Sequence, residues 1–219
     1  MKLHDLSLSS SQISLDRRAF NEQGDVVAER FLYSLSRKYD TGSFRKIVVS
    51  CMNVDDDVRQ DLGAIGVLVL YVAFDFAAYE KLEHTAKQQL LMRLLHTRLV
   101  QAAHDYRFEV PPLEAAFVAA SAMSDAFVFP TKFRANFAKP YRSAQLVFRC
   151  NGIILELYAQ IKVSRNSASE LRLVTTHDTG PSIVSYLIEG FEWLNEDQLS
   201  VRFIRSASTA NVVLSIRGG

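Results

Sequence analysis

The sequence predicts an α+β fold, with antiparallel sheets in two lobes and a long amphipathic helix between them. Three observations lead there. Residues 144–163 carry a strong β-hairpin pattern, residues 77–106 switch to helical spacing, and Pro130 and Pro140 fall in a break between the two halves. The expected organisation is an N-terminal α+β lobe over 1–126, strands then a helix pair. A C-terminal α+β lobe over 127–219 follows, with a hairpin, a strand, a helix and two strands, the two packed as one unit.

In the hairpin, Ala144, Leu146, Phe148 and Cys150 share one face, and Gln145, Val147 and Arg149 take the other. The return repeats this, with Leu155, Leu157, Ala159 and Ile161 inward and Glu156, Tyr158, Gln160 and Lys162 outward. Between them Asn151-Gly152 suits a type I′ turn, which needs positive φ at both central positions. That loop sets Cys150 opposite Ile153, Phe148 opposite Leu155 and Leu146 opposite Leu157.

In chain order, residues 6–15 alternate as a short edge strand and 21–25 read as a turn. Residues 31–36 fit both periods, since Val27, Phe31, Leu35 and Tyr39 also recur at helical spacing. The turn at Asp40-Thr41-Gly42-Ser43 favours a strand there, pairing back on 45–51. Residues 65–74 are apolar on both faces, as a covered central strand would be. Leu91, Leu94, Leu95, Leu99, Ala102 and Tyr106 form one helical stripe, while Tyr79, Leu82, Ala86 and Leu90 point elsewhere, so the helix bends, starts later or is buried twice. Pro111-Pro112 ends it and opens a helix over 113–126. Leu171 and Leu173 alternate with Glu170 and Arg172 as a strand. Gly180-Pro181-Ser182 opens a helix with Val184, Leu187, Ile188, Phe191 and Leu194, and two strands around 199–203 and 212–216 flank the polar loop 206–211.

At 219 residues, 48% hydrophobic and 22% charged, the composition is that of a folded globular chain. A net charge of +1 argues against an overall electrostatic grip on nucleic acid or an anionic membrane. Cys51 and Cys150 both sit in strand patterns, which predicts buried reduced thiols and a cytoplasmic protein. The longest apolar run, 64–74, is about half the ~20 residues a span needs, so no membrane segment is expected.

No catalytic constellation emerges, and no metal or cofactor is implied. Asp178-Thr179-Gly180 has the aspartic-protease triplet but reads as a turn before a helix, without a second copy. Ser43 and Lys46 have acyl-enzyme spacing but lead into a strand. His84, His96 and His104 do not converge on an ideal helix, His96 being the one that would line a site. Two charged segments stand out as partner-contact candidates. Asp55, Asp56, Asp57 and Asp61 crowd acid into one loop lacking the calcium-loop glycine and glutamate. Lys132, Arg134, Lys139 and Arg142 are interleaved with Phe129, Phe133, Phe137 and Tyr141, with no acid between Asp125 and Glu156.

Taken with the strand Lys46-Ile47-Val48-Val49-Ser50, the strand ending Phe74-Asp75-Phe76 with Tyr79, the helix from Lys87-Gln88-Gln89-Leu90-Leu91 to Leu95-His96 and an antiparallel second half after Pro130, the layout resembles the cytosolic immunity proteins of bacterial toxin systems. That resemblance implies a protein-binding module that binds a cognate toxin and blocks its active site or assembly, with no catalytic residues. The near-neutral charge points away from a basic nuclease as target. Two rivals stay open: an enzyme or small-ligand protein with a pocket under the long helix near His96 and His177, and a nucleic-acid binder using residues 132–149. The oligomeric state stays open too.

Overall fold

In the first half of the chain, parallel pairing aligns the buried side chains in rows. Strands β1 (Asp5–Ser10), β2 (Lys46–Asn53), β3 (Leu62–Ala64) and β4 (Val67–Phe74) form a sheet in the order β1-β2-β4-β3. The β1–β2 and β2–β4 pairs are parallel and only β3 runs antiparallel to its neighbour. Register places Leu6, Ile47 and Leu68 in one row and Leu8, Val49 and Leu70 in the next, all at most 3% exposed. This computed structural model describes residues 1–12, 17–35, 39–56, 59–123, 126–138, 140–151, 154–177, 187–205 and 208–216.

The class is α+β, with strands gathered into separate sheets, and the chain divides into two compact units, Met1–Met123 and Ser124–Gly219. A parallel pair needs a crossover, and helix α1 (Arg18–Ser34) supplies it between β1 and β2. Two expectations fail at this helix. The turn over 21–25 lies inside it, and residues 31–34 are its last turn rather than a strand pairing with 45–51. The helical spacing was the governing signal: Val27, Phe31 and Leu35 are at most 3% exposed.

The expected long helix is two. Helix α2 (Phe76–Glu80) starts at Asp75, whose Oδ1 accepts from Ala78 N at 2.9 Å, and α3 (His84–Tyr106) follows. This later start accounts for the apolar residues before 84 that missed the stripe. Leu91, Leu95, Leu99 and Ala102 of α3 enter the core of the first unit. Helix α4 (Pro111–Ala122) adds Leu113, Ala116 and Ala120, its prolines placed where no N–H is needed.

The second unit holds β5 (Ala126–Phe137), β6 (Arg142–Asn151), β7 (Ile154–Lys162) and β8 (Glu170–His177) as one antiparallel sheet. A second antiparallel sheet, ordered β11-β10-β9, comprises β9 (Ile188–Asn195), β10 (Gln198–Arg205) and β11 (Ser208–Ser215). The sheets meet where β5 runs beside β9 and β8 beside β11. The hairpin is where expected, but its register differs by two residues: Cys150 pairs with Leu155, Phe148 with Leu157 and Leu146 with Ala159. An even shift preserves every inward face, so Leu146, Phe148, Leu157 and Ile161 remain at most 1% exposed. Asn151 is therefore a paired strand residue, opposite Ile154.

Residues 188–194, expected as helix, form β9 instead. Gly190 is a poor helix residue, Phe191 and Trp193 favour strands, and pairing to β10 decides between the two periods. The triplet Asp178-Thr179-Gly180 and the proposed helix start lie outside the described residues. No helix among the described residues is long and apolar enough to cross a membrane.

Candidate functional site

The β3–β4 hairpin pairs Ala64 with Val67, leaving Ile65-Gly66 as the two-residue turn. Both have positive φ, 50° and 77°, as a type I′ turn requires. Glycine suits that backbone and isoleucine does not. Left-handed backbone costs an L-residue about 1–2 kcal/mol, and a β-branched one is the worst fit. The conformation is held from outside, because Gly66 O accepts from Arg45 N at 2.8 Å and Lys46 N at 3.2 Å. The strained residue is also 95% exposed, and Leu62, on the same sheet-edge strand, is 58% exposed. An apolar side chain is thus carried on a rigid turn into solvent. Sequence reasoning missed it by reading 65–74 as one covered strand.

The four candidate acids separate into different environments. Asp55 is exposed in the turn after β2. Asp56 closes that turn, its Oδ2 accepting from Asn53 N at 3.2 Å and its N–H donating to Asn53 O at 2.9 Å. Asp61 is committed internally: Arg98 Nη2 lies 2.9 and 3.0 Å from its carboxylate oxygens, and Oδ1 also accepts from Tyr71 N at 2.8 Å. Asp57 lies outside the described residues.

The basic segment separates likewise. Lys132 lies over the Phe133 ring at 5.3 Å. Arg142 donates to Val163 O at 2.7 Å and Glu196 O at 3.3 Å, which ties β6 to the loops beside it. Phe129 is buried against Phe148, centroids 5.3 Å apart, so it fills the core instead of offering a stacking platform. Lys139 lies outside the described residues. Arg134 lines a pocket of about 370 Å³ with Asn136, Tyr141, Ser143, Gln145, Gln160 and Lys162 on the outer face of the β5–β8 sheet. The outward alternation of the hairpin carried that signal, but the register across three strands was needed to bring the residues together.

His96 is engaged by its neighbours on α4. Its ring stacks on Phe117 at 4.2 Å and Nε2 lies 3.1 Å from Glu114. His84 Nε2 is 3.0 Å from Gln88 Nε2. Ser43 precedes β2, and Lys46 is occupied by Asp5 at 2.8 Å. Cys51 is buried and free, and burial pushes its thiol up to about 12, which leaves it unreactive. Among the described residues no group of histidine, cysteine and carboxylate side chains is arranged to hold a metal ion. Comparison with protein-family models, curated proteins and solved structures finds no match to this chain.

Proposed function

We propose that the chain is a protein-binding module that uses the β3–β4 apex as an apolar anchor, and that its partner is a toxin it neutralises. The observation that carries the binding reading is Ile65: a β-branched side chain at φ 50° and 95% exposure. Strained backbone clusters at functional sites, and the side chains that carry binding energy are those that fill a desolvated pocket on the partner. Burying one such side chain in a partner's pocket contributes about 1.5–3 kcal/mol. The toxin as partner class comes from the layout resemblance of the sequence.

Substituting Ile65→Asn separates binding from folding, because asparagine accepts the left-handed backbone that isoleucine resists. Tagged wild-type and Ile65→Asn chains serve as baits in the native host. The wild type is expected to retain one stoichiometric protein at high salt. That protein, produced alone, arrests growth, and co-production of the wild type restores it. The Ile65→Asn chain is expected to melt no lower than wild type yet bind about 10–100-fold more weakly and fail to restore growth. Equal capture by both baits would remove the apex from the interface, and a harmless partner would end the neutralising role.

A further inference from the structure

The pocket in the second unit has a different chemistry from the apex, and its inference does not rest on the protein-binding reading. Register builds it. Arg134 lies opposite Gln145, which lies opposite Gln160, and in the next outward row Asn136 lies opposite Ser143, which lies opposite Lys162. The six positions form a grid across β5, β6 and β7, with the cations at opposite corners, their Cα atoms about 12 Å apart from ordinary strand spacing and rise. Arg134 and Lys162 line the pocket together with the amides and hydroxyl between them. Beneath the grid Ala135, Ala144 and Ile161 are at most 7% exposed, so the floor is fixed by the core. Tyr141 stands at the rim, with the Arg165 guanidinium 5.6 Å from its ring centroid.

Three cations elsewhere in the unit are compensated by acids. Arg149 faces Glu156, Arg172 faces Glu170 and Arg202 faces Glu192. Arg134 and Lys162 line the same pocket, no acid lines it with them, and among the described residues neither has an ion-pair partner. Both side chains are exposed, so solvent screens their mutual repulsion in the free protein, and an anion between them gains charge-assisted contacts from both.

We propose that this pocket binds a small phosphate monoester, its phosphoryl group between Arg134 and Lys162 and its attached group against Tyr141. Two cations match the charge of about −1.5 to −2 that a monoester carries at pH 7, which a carboxylate or a phosphodiester does not. Asn136 and Ser143 offer neutral donors for the remaining oxygens, and Gln145 and Gln160, whose Nε2 atoms already donate to Thr131 O at 2.9 Å and Ser169 Oγ at 3.0 Å, each keep one further N–H. The volume is near the lower end of small-molecule sites.

The test is calorimetric titration of the full chain at low salt with inorganic phosphate, adenosine 5′-monophosphate, adenosine and an adenine oligonucleotide lacking a terminal phosphate. The monophosphate is expected to bind at least about tenfold tighter than adenosine, with inorganic phosphate weaker than the monophosphate but detectable. Arg134→Gln and Lys162→Gln should each weaken it about fivefold or more, and Arg172→Gln should leave it unchanged. Adenosine binding as tightly as the monophosphate would overturn the proposal. So would tighter binding of the oligonucleotide, which would indicate a strand-tracking groove, or no heat with any ligand at about 5 mM.

Discussion

Asp61 sits in an acid-rich stretch of sequence, yet its carboxylate is occupied twice over, by Arg98 and by the Tyr71 N–H. Both charged side chains are largely covered, Arg98 at 12% and Asp61 at 22% exposure. Such a pair lies between the exposed ion pair, worth under about 1 kcal/mol, and the buried one, whose rupture costs about 3–5 kcal/mol. Asp61→Asn keeps an oxygen for Tyr71 N and removes only the charge. It should therefore lower stability by about 1–3 kcal/mol in urea denaturation, with Arg98→Ala losing a similar amount and the double variant little more. Additive losses would mean that the two groups act separately. Nothing in a run of aspartates distinguishes this residue from Asp55, because its partners come from β4 and α3, and only the fold brings them within reach.

At the scale of elements, close approach decides the sign of a substitution that propensity alone would misjudge. Gly24 lies in the middle of α1, where alanine would favour the helix by about 1 kcal/mol. A Cβ there would stand 2.1 Å from Leu8 O of β1, so helix or strand must move. Gly24→Ala is expected to destabilise the protein by about 1–3 kcal/mol in the same assay, and a rise in stability would place α1 farther from β1. The same competition between local and tertiary signals explains which elements were legible in the sequence. The α3 stripe and the inward faces of β6 and β7 could be read because burial imposes their period directly, whereas Val147, expected on the outward face, is buried as well, at 1% exposure. The end of α1 and the strand β9 could not be read, since each segment fits both periods: β2 is paired on both sides, by β1 and β4, which leaves no edge for residues 31–34, and pairing with β10 makes β9 a strand. The hairpin register escaped for a related reason: a shift of two residues leaves every face unchanged, so burial cannot detect it. Of the candidate sites, Arg134 was legible by charge, whereas Ile65 was hidden within an apolar run whose first residue turns out to be a hairpin apex.

At the scale of the whole molecule, two carboxyl groups link folding to pH against the usual direction for acids. Asp25 and Glu29 share a face of α1 near Asp5 of β1. Burial, then Asp5, raises Asp25 to about 6, against a partial opposing effect of Lys46 and a further push from Glu22. Burial, then Asp5 and Asp25, raises Glu29 to about 7. Asp5 is itself paired with Lys46 at 2.8 Å, and Glu22 with Arg18 at 2.8 Å, so neither cation is left to neutralise Glu29. Both groups hold their protons more tightly in the folded chain than in the unfolded one, whose values are 3.8 and 4.5. Their favourable contribution is therefore fully present below about pH 4 and is lost as pH rises to about 7. At about 1.4 kcal/mol per pKa unit, either group taken alone accounts for up to about 3 kcal/mol, and their mutual repulsion makes the sum smaller than two separate contributions. Glu29→Gln removes one ionisation and relieves the other. Measured by urea denaturation, it should match wild type near pH 4 and exceed it by about 1–3 kcal/mol at pH 8, flattening the decline between. Parallel stability curves for variant and wild type across that range would show that Glu29 is already ionised in the folded protein, and that the helix face carries its charges in solvent.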